Sequence, residues 1–291
     1  MPPQDKTLLE KQRALRHWFT QFESCLVAFS GGVDSSVVAA TARSGLGEGA
    51  VAATAETATL APEELLYATN LAAKIGIRHI VVHYDDLENE RLVENSPARC
   101  YYCREDLSSH LTRIATDEGL DVIVDGTLLD DLYGHRPGVR ALDKAGIRHP
   151  LCEVGLGKSE VRALARLLEL PSADKPSDAC LASRFQYGER ITREGLQRVA
   201  IAESYVRQVT GAKQLRVRVH GADARIEVAP PERHLLFNAE LMDQIAAELR
   251  KMGFVYVSLD LQGYRSGSAD EMLGGQFVPV EKLTWRAPNI P

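Results

Sequence analysis

Several things are missing from this chain, and each absence narrows what it does. No apolar run approaches the ~18 residues that a membrane span needs. Residues Met1 to Phe22 carry no apolar signal-peptide core; Leu8, Leu9, Leu15, Trp18, Phe19 and Phe22 recur instead as one face of an amphipathic helix. A cytoplasmic protein without a membrane partner is the expectation. Basic charge is in deficit, with 34 Lys and Arg against 40 Asp and Glu and a net charge of −6. That balance speaks against a long nucleic-acid footprint, so no nucleic-acid partner is expected. The five cysteines, Cys25, Cys100, Cys103, Cys152 and Cys180, are odd in number, which argues against a disulfide framework. Internal repeats and low-complexity tracts are also absent. What remains is an ordinary globular composition over 291 residues, enough for two domains or one large one.

The most informative stretch runs from Cys25 to Ser36. Leu26 to Phe29 is a short apolar run of the kind that forms a strand buried on both faces. Gly31 and Gly32 follow, flanked by hydroxyls, and Val37 to Ala42 reads as a helix. Strand, tight loop and helix form an anion site: the glycines let backbone approach a ligand, and the free N–H groups at the helix start favour negative charge. Ser30, Ser35 and Ser36 add hydroxyl donors, and Asp34 is placed to hold a magnesium ion between phosphates. No Gly-Lys-Ser/Thr closes the loop, so it is not a Walker A.

Further along, strands are expected at Ala50–Thr57, His79–Tyr84 and Val122–Val124. Helices are expected from Pro62 to a stop at Gly76 and over Glu105–Glu118. This alternation implies an α/β fold with a doubly wound parallel sheet, whose ligands sit beyond the carboxyl ends of the strands. Phosphate contacts would come from residues 30–36, Val33 included, with Gly126 and Thr127 at the same edge. Residues 128–157 read as an irregular stretch, with Asp130, Asp131 and Arg136 as its candidates. Ser159 reads as the cap of a helix over Glu160–Leu170. Pro171 and Pro176 place a boundary near residue 175, giving a phosphate-binding domain over 1–175 and a smaller α+β domain over 176–291. In the latter, helices are expected at Arg193–Val209 and Glu232–Lys251, and strands at Gln214–His220, Ala224–Val228 and Phe254–Leu259. The first two of these strands alternate apolar residues with arginines, implying one buried face and one basic face.

Arg184, Arg190, Arg216, Arg218, Arg225 and Arg265 cluster in this second half, a donor set suited to phosphate or carboxylate. Cys100-Tyr101-Tyr102-Cys103 reads as a loop before a helix, and Cys180 lies in another loop. The pair could be a redox couple, half a zinc site or part of an iron–sulfur site. Cys25 and Cys152 read as inert small hydrophobes.

The Ser30-Gly-Gly-Val-Asp-Ser-Ser36 string resembles the PP-loop of the ATP pyrophosphatases. Ala55-Glu56-Thr57, Cys100-Tyr-Tyr-Cys103, Gly126-Thr127 with Asp130-Asp131, His135-Arg136-Pro137-Gly138, Lys158-Ser159-Glu160-Val161-Arg162, Lys175-Pro176, Cys180-Leu-Ala-Ser183-Arg184 and Gly263-Tyr264-Arg265-Ser266-Gly267-Ser268 extend the likeness. Together they resemble the LarE-type ATP-dependent sulfur transferases of nickel-pincer cofactor synthesis. The resemblance implies ATP with Mg²⁺, a pyridinium-3,5-biscarboxylic acid mononucleotide substrate, adenylation of its carboxylate, and conversion to a thiocarboxylate. It also implies that Cys100, Cys103 and Cys180 hold a 4Fe–4S cluster, although other members sacrifice a single cysteine. By the same likeness, Cys180, Arg184 and Glu203 fall near catalytic positions. Ser183, Arg184, Arg216 and Arg265 fall near the substrate phosphate. Homo-oligomers occur in the family. The competing readings are a PP-loop tRNA thiolase and a nucleotide-binding regulator without turnover.

Overall fold

The computed structural model describes residues 3–132, 137–176, 178–265, 267–268 and 271. Helix α1 (Pro3–Phe19) leads into β1 (Cys25–Ala28), α2 (Val33–Leu46), β2 (Ala50–Glu56), α3 (Pro62–Ile75) and β3 (Arg78–His83). Then come α4 (Glu90–Val93), α5 (Arg99–Glu118), β4 (Val122–Val124), α6 (Pro137–Lys144), α7 (Pro150–Glu153) and α8 (Lys158–Leu167). The four strands pair in parallel in the order β3-β2-β1-β4. Alternate residues along each strand serve opposite faces. Cys25, Val27, Ala50 and Ala52 pack with α1, α2, α3 and α8 through Leu15, Val38, Leu71 and Leu164. Leu26, Val51, Ala53 and Val82 pack with α5 and α6 through Leu107, Leu111 and Leu142 on the other face. The expected parallel sheet with helices on both faces is therefore present.

The second half holds α9 (Arg193–Thr210), β5 (Leu215–His220), β6 (Asp223–Val228), α10 (Ala239–Lys251) and β7 (Tyr256–Leu259). Strand β6 pairs antiparallel with β5 and parallel with β7. Its core also takes in Leu92 and Val93 from the first half.

Four local expectations need correction. Residues 128–157 are not one irregular stretch, since α6 and α7 lie within them, each led by a proline; proline is tolerated at a first turn, where its missing N–H costs nothing. Helix α8 starts at Lys158 with Gly157 as its cap, not Ser159. Carboxylates do the capping: Glu160 accepts from Gly157 N at 3.1 Å and Asp130 from Lys158 N at 2.7 Å. Cys100 and Cys103 stand in the first two turns of α5 rather than in a loop. The expected Glu232–Lys251 helix is a 3-10 turn over Pro230–Leu236 followed by α10, which Asn238 caps by accepting from Leu241 N at 2.9 Å. Arg136 lies outside the described residues.

Candidate active site

The sheet order places β2 on one side of β1 and β4 on the other. The crevice beyond the carboxyl ends of β1 and β4 is thus the topological switch point, where ligands of such sheets bind. Ser30 to Ser36 lie on one lip and Gly126-Thr127 on the other. Gly31 has φ +71°, and a Cβ there would fall 3.0 Å from Ala68 Cα, so both conformation and space demand glycine.

The hydroxyls of this loop are mostly spent on its own shape. Ser35 Oγ accepts from Ser30 N at 3.2 Å and lies 3.1 Å from Ser30 Oγ, while Ser36 Oγ donates to Gly32 O at 2.5 Å. Ser35 and Ser36 are buried, and Ser30 is exposed. Gly32 caps α2 without a side-chain acceptor, leaving the first-turn N–H groups to a ligand. Asp34 stands in that turn, its carboxyl pushed up to about 6 by burial and then by Asp131, against the pull of Lys158 and Arg162. A cation would reverse that shift.

Gly126 packs directly on the loop. A Cβ there would lie 2.7 Å from Ser35 N and 3.0 Å from the Asp34 carbonyl carbon, both backbone. Gly126→Ala is expected to push the two lips apart and weaken nucleotide binding by at least about tenfold, since misplacement near 1 Å can cost far more. Isothermal titration with Mg-ATP checks it, and unchanged affinity would show that the close approach is incidental. Thr127, 8% exposed, spends both N–H and hydroxyl on Asp125, at 3.0 and 2.6 Å.

The cysteines form the second feature. Cys100 and Cys180 are exposed and Cys103 is half-buried. Burial raises the Cys100 and Cys103 thiols, Cys103 to about 12, with the Cys180 charge adding to both, while Arg104 pulls the other way. Cys100 also feels a hydrogen bond from Arg99. Gly138 at the start of α6 packs here, where a Cβ would meet Arg104 Cγ at 3.0 Å and Cys100 O at 3.3 Å. Among the described residues, no group of three or more His, Cys, Asp or Glu side chains is drawn together to hold a metal ion. As a donor set, three thiols in mutual electrostatic reach fit a soft metal centre in kind. Cys25 lies in the core with its thiol pushed up to about 12 by burial. Cys152 donates to Thr127 O at 3.3 Å.

The arginines form the third. Arg184 is 2% exposed and every guanidinium nitrogen is engaged. Its Nε and Nη2 reach the Glu203 carboxylate at 2.8 and 2.9 Å, and Nη2 also reaches Asp178 at 3.2 Å. Nη1 donates to Cys180 O at 3.0 Å, to Ser183 Oγ at 3.2 Å and to Ala179 O. Glu203 accepts a further bond from Val217 N at 2.9 Å. Arg216 shares Asp178 at 2.9 Å and lies over the Tyr264 ring at 5.1 Å. Arg218 reaches Glu227 at 3.0 Å and donates to Ser183 O at 2.8 Å. Arg265 pairs with Glu271 at 3.1 Å. The basic face expected for β5 is therefore inside: Arg216 and Arg218 are buried, each with a carboxylate partner. Alternation foretold two faces, but Asp178, Ser183, Tyr264 and Ser268 cover the second.

A family model described as asparagine synthase matches residues 11–133, the part that holds β1 to β4. A protein of Synechocystis described as uncharacterized is 42% identical over 266 residues, 91% of this chain and 99% of its own. The pyridinium-3,5-bisthiocarboxylic acid mononucleotide synthase of Lactiplantibacillus plantarum is 35% identical over 272 residues, 92% of this chain and 96% of that one. The chain belongs to this synthase family. It is an enzyme of the sulfurtransferase kind. A tRNA-specific 2-thiouridylase of Azorhizobium caulinodans is 32% identical over 209 residues, but spans only 58% of this chain and 53% of its own.

Within the synthase family frame, the structure brings residues 30–36, Gly126 and Thr127 to one crevice. It gathers buried Arg184, Glu203 and Arg216 with half-buried Ser183 into one lattice that also holds the Cys180 carbonyl. Sequence reading passed over Asp125, His149, Lys158 and Arg162 as site residues. Lys158 and Arg162 could have been found from their spacing of four on one face of α8, turned toward Asp34. Nothing in the sequence marked His149.

Proposed function

We propose that this chain is an ATP-dependent sulfur transferase acting on pyridinium-3,5-biscarboxylic acid mononucleotide. The observation that carries this reading is the end-to-end similarity to the named synthase, at 35% identity. The PP-loop lips at the switch point support it. ATP lies with its phosphates on the first turn of α2, with Mg²⁺ at Asp34 and Lys158 and Arg162 facing the charge. A substrate carboxylate oxygen attacks the α-phosphorus, the bond to the β-phosphate bridging oxygen breaks, and pyrophosphate leaves with that electron pair. Sulfur at the sulfide level, as hydrosulfide, then adds to the acyl carbon. The C–O bond to AMP breaks with its electron pair leaving on AMP, and loss of the sulfur's proton to solvent leaves a thiocarboxylate.

Cys100, Cys103 and Cys180 would hold a 4Fe–4S cluster with one iron lacking a protein ligand. When bound, the cluster supplies sulfur without consuming a cysteine. Arg216 and Arg265 face the substrate phosphate, and Arg184 and Glu203 hold the Cys180 segment in place. The exposed thiol of Cys180 supports a second reading, in which that cysteine is itself the sulfur donor.

The test is pyrophosphate release and thiocarboxylate formation by anaerobically purified protein, with and without the mononucleotide. Substrate-dependent pyrophosphate is expected, with turnover beyond one equivalent when sulfide is supplied; Cys100→Ala/Cys103→Ala should keep the pyrophosphate release of a first adenylation and lose thiocarboxylate formation and multiple turnover. ADP in place of AMP would overturn the adenylation. Full multiple turnover in the double variant would overturn the cluster. A requirement for tRNA would favour the thiolase reading.

A further inference from the structure

His149 has no part in the chemistry above, yet the fold takes trouble to place it. Asp125 N donates to Arg148 O at 3.1 Å, Arg148 N donates to Ile123 O at 2.9 Å, and Val124 bridges Arg148 in parallel. This rudimentary fifth rung beside β4 delivers His149, 8% exposed, to the carboxyl end of the sheet. Its Nδ1 lies 2.6 Å from Asp125 Oδ1 and its Nε2 lies 3.0 Å from Asp143 Oδ1. An imidazole can donate from both nitrogens only when protonated. Asp125, also 8% exposed, holds the N–H and hydroxyl of Thr127, and Gly126 between them rests on the backbone of Ser35.

We propose that His149 is a positioning residue for nucleotide binding: as an imidazolium it neutralises Asp125 and keeps the Asp125-Gly126-Thr127 turn approachable by a polyphosphate. The inference rests on the reading that ATP binds between the two lips. Asp125 cannot leave, because Thr127 depends on it, and without its hydrogen-bonded imidazolium, with Arg104 of α5 acting on it through charge, it would repel an anion from one residue behind the lip. Asp34 and Asp131 already bring negative charge there, against Lys158 and Arg162.

The groups facing His149 support a charged state. Asp125 comes from the end of β4 and Asp143 from α6. From α7, Cys152 is turned to Thr127 O, and Glu153 is taken by Arg148 and Trp18. Burial opposes the His149 charge, but the bonds to Asp125 and Asp143 outweigh it and hold its pKa above the usual value. Burial likewise opposes the Asp125 charge, and His149 and Thr127 overcome it, holding that carboxyl below its usual range. The His149 charge contributes stability that is complete below the ordinary histidine pKa and is lost as pH rises through the raised one, while the Asp125 charge contributes stability that is present above the ordinary carboxylate pKa and is lost as pH falls through the lowered one.

The test measures the Kd of Mg-ATP by calorimetry from about pH 7 to about pH 9.5, above the range in which Asp34 titrates, with a melting temperature at each pH. Wild type is expected to weaken about tenfold as His149 loses its proton. His149→Gln should bind weakly across the whole range. Asp125→Asn/His149→Gln carries no charge to neutralise and keeps the donor–acceptor pairs, so its Kd should return to within about threefold of the wild-type low-pH value and stay flat. The wild-type pH profile persisting in either variant would overturn the inference while leaving the nucleotide reading intact. So would a double variant that melts like wild type yet binds no better than the single one. A wild type that binds no ATP at any pH would overturn both.

Discussion

Arg184→Ala is expected to destabilise the protein by about 3–5 kcal/mol, because it strands a carboxylate inside the fold. Glu203 is 4% exposed and would keep the Val217 N–H and the nearby Arg216 charge but lose its paired guanidinium. The Cys180 and Ala179 carbonyls would lose their donor in the same step. The measurement is urea unfolding at neutral pH. Arg184→Met/Glu203→Gln should recover most of the loss, since a neutral glutamine oxygen can still accept from Val217 N and methionine refills the volume. If the double variant were as unstable as the single one, the loss would belong to the backbone contacts and not to the stranded charge. Arg184 was expected near the substrate phosphate, and as the structure places it, its donors are turned inward to protein acceptors. The proposal therefore gives it a positioning role.

Asp34→Asn should separate stability from activity in opposite directions. The Asp34 carboxyl is pushed up to about 6 in the ligand-free fold, above its value of about 3.9 in an unfolded chain. A raised carboxyl favours folding at low pH: its contribution is complete below about pH 4 and disappears as pH rises through about 6. At pH above 7 the asparagine variant should thus be the more stable protein, by on the order of 1–3 kcal/mol. Its adenylation rate should fall by at least about 100-fold, because a cation contact to phosphoryl charge is a large electrostatic contribution. Thermal melts with and without Mg-ATP, beside pyrophosphate release, read both effects. A variant that is both less stable and fully active would remove Asp34 from the site. A destabilised group at the point of chemistry is what a stability–activity trade-off predicts.

How far the sequence carries depends on the length scale of the cause. Strands β1, β2 and β3 and helix α3 were readable because apolar runs, Pro62 and Gly76 act within a few residues. The PP-loop was readable for the same reason, its chemistry being contiguous. Helices α6 and α7 were hidden because they are short, Pro-led and surrounded by turn residues. The α8 cap was hidden because its acceptor, Asp130, comes from 28 positions upstream. The buried face of β5 was misread because two arginines mark solvent unless their partners, Asp178 and Glu227, are known to be present. His149 gave no signal because its meaning lies in Asp125, just past the end of β4 and 24 positions upstream.

The stretch from Asp178 to Phe185 has a consequence for how the molecule matures. Leu181 N donates to Thr59 O at 2.9 Å, Arg184 reaches Glu203, Arg218 holds Ser183 O, and Phe185 bridges Val219. Those anchors lie on both sides of it in the chain, the first more than a hundred residues away. Contacts of such separation are slow to form, whereas neighbouring strands and helices of the parallel sheet can assemble early. Cys180 therefore takes its place only after both sheets exist. A nascent or half-folded chain would present Cys100 and Cys103 before the Cys180 segment is anchored.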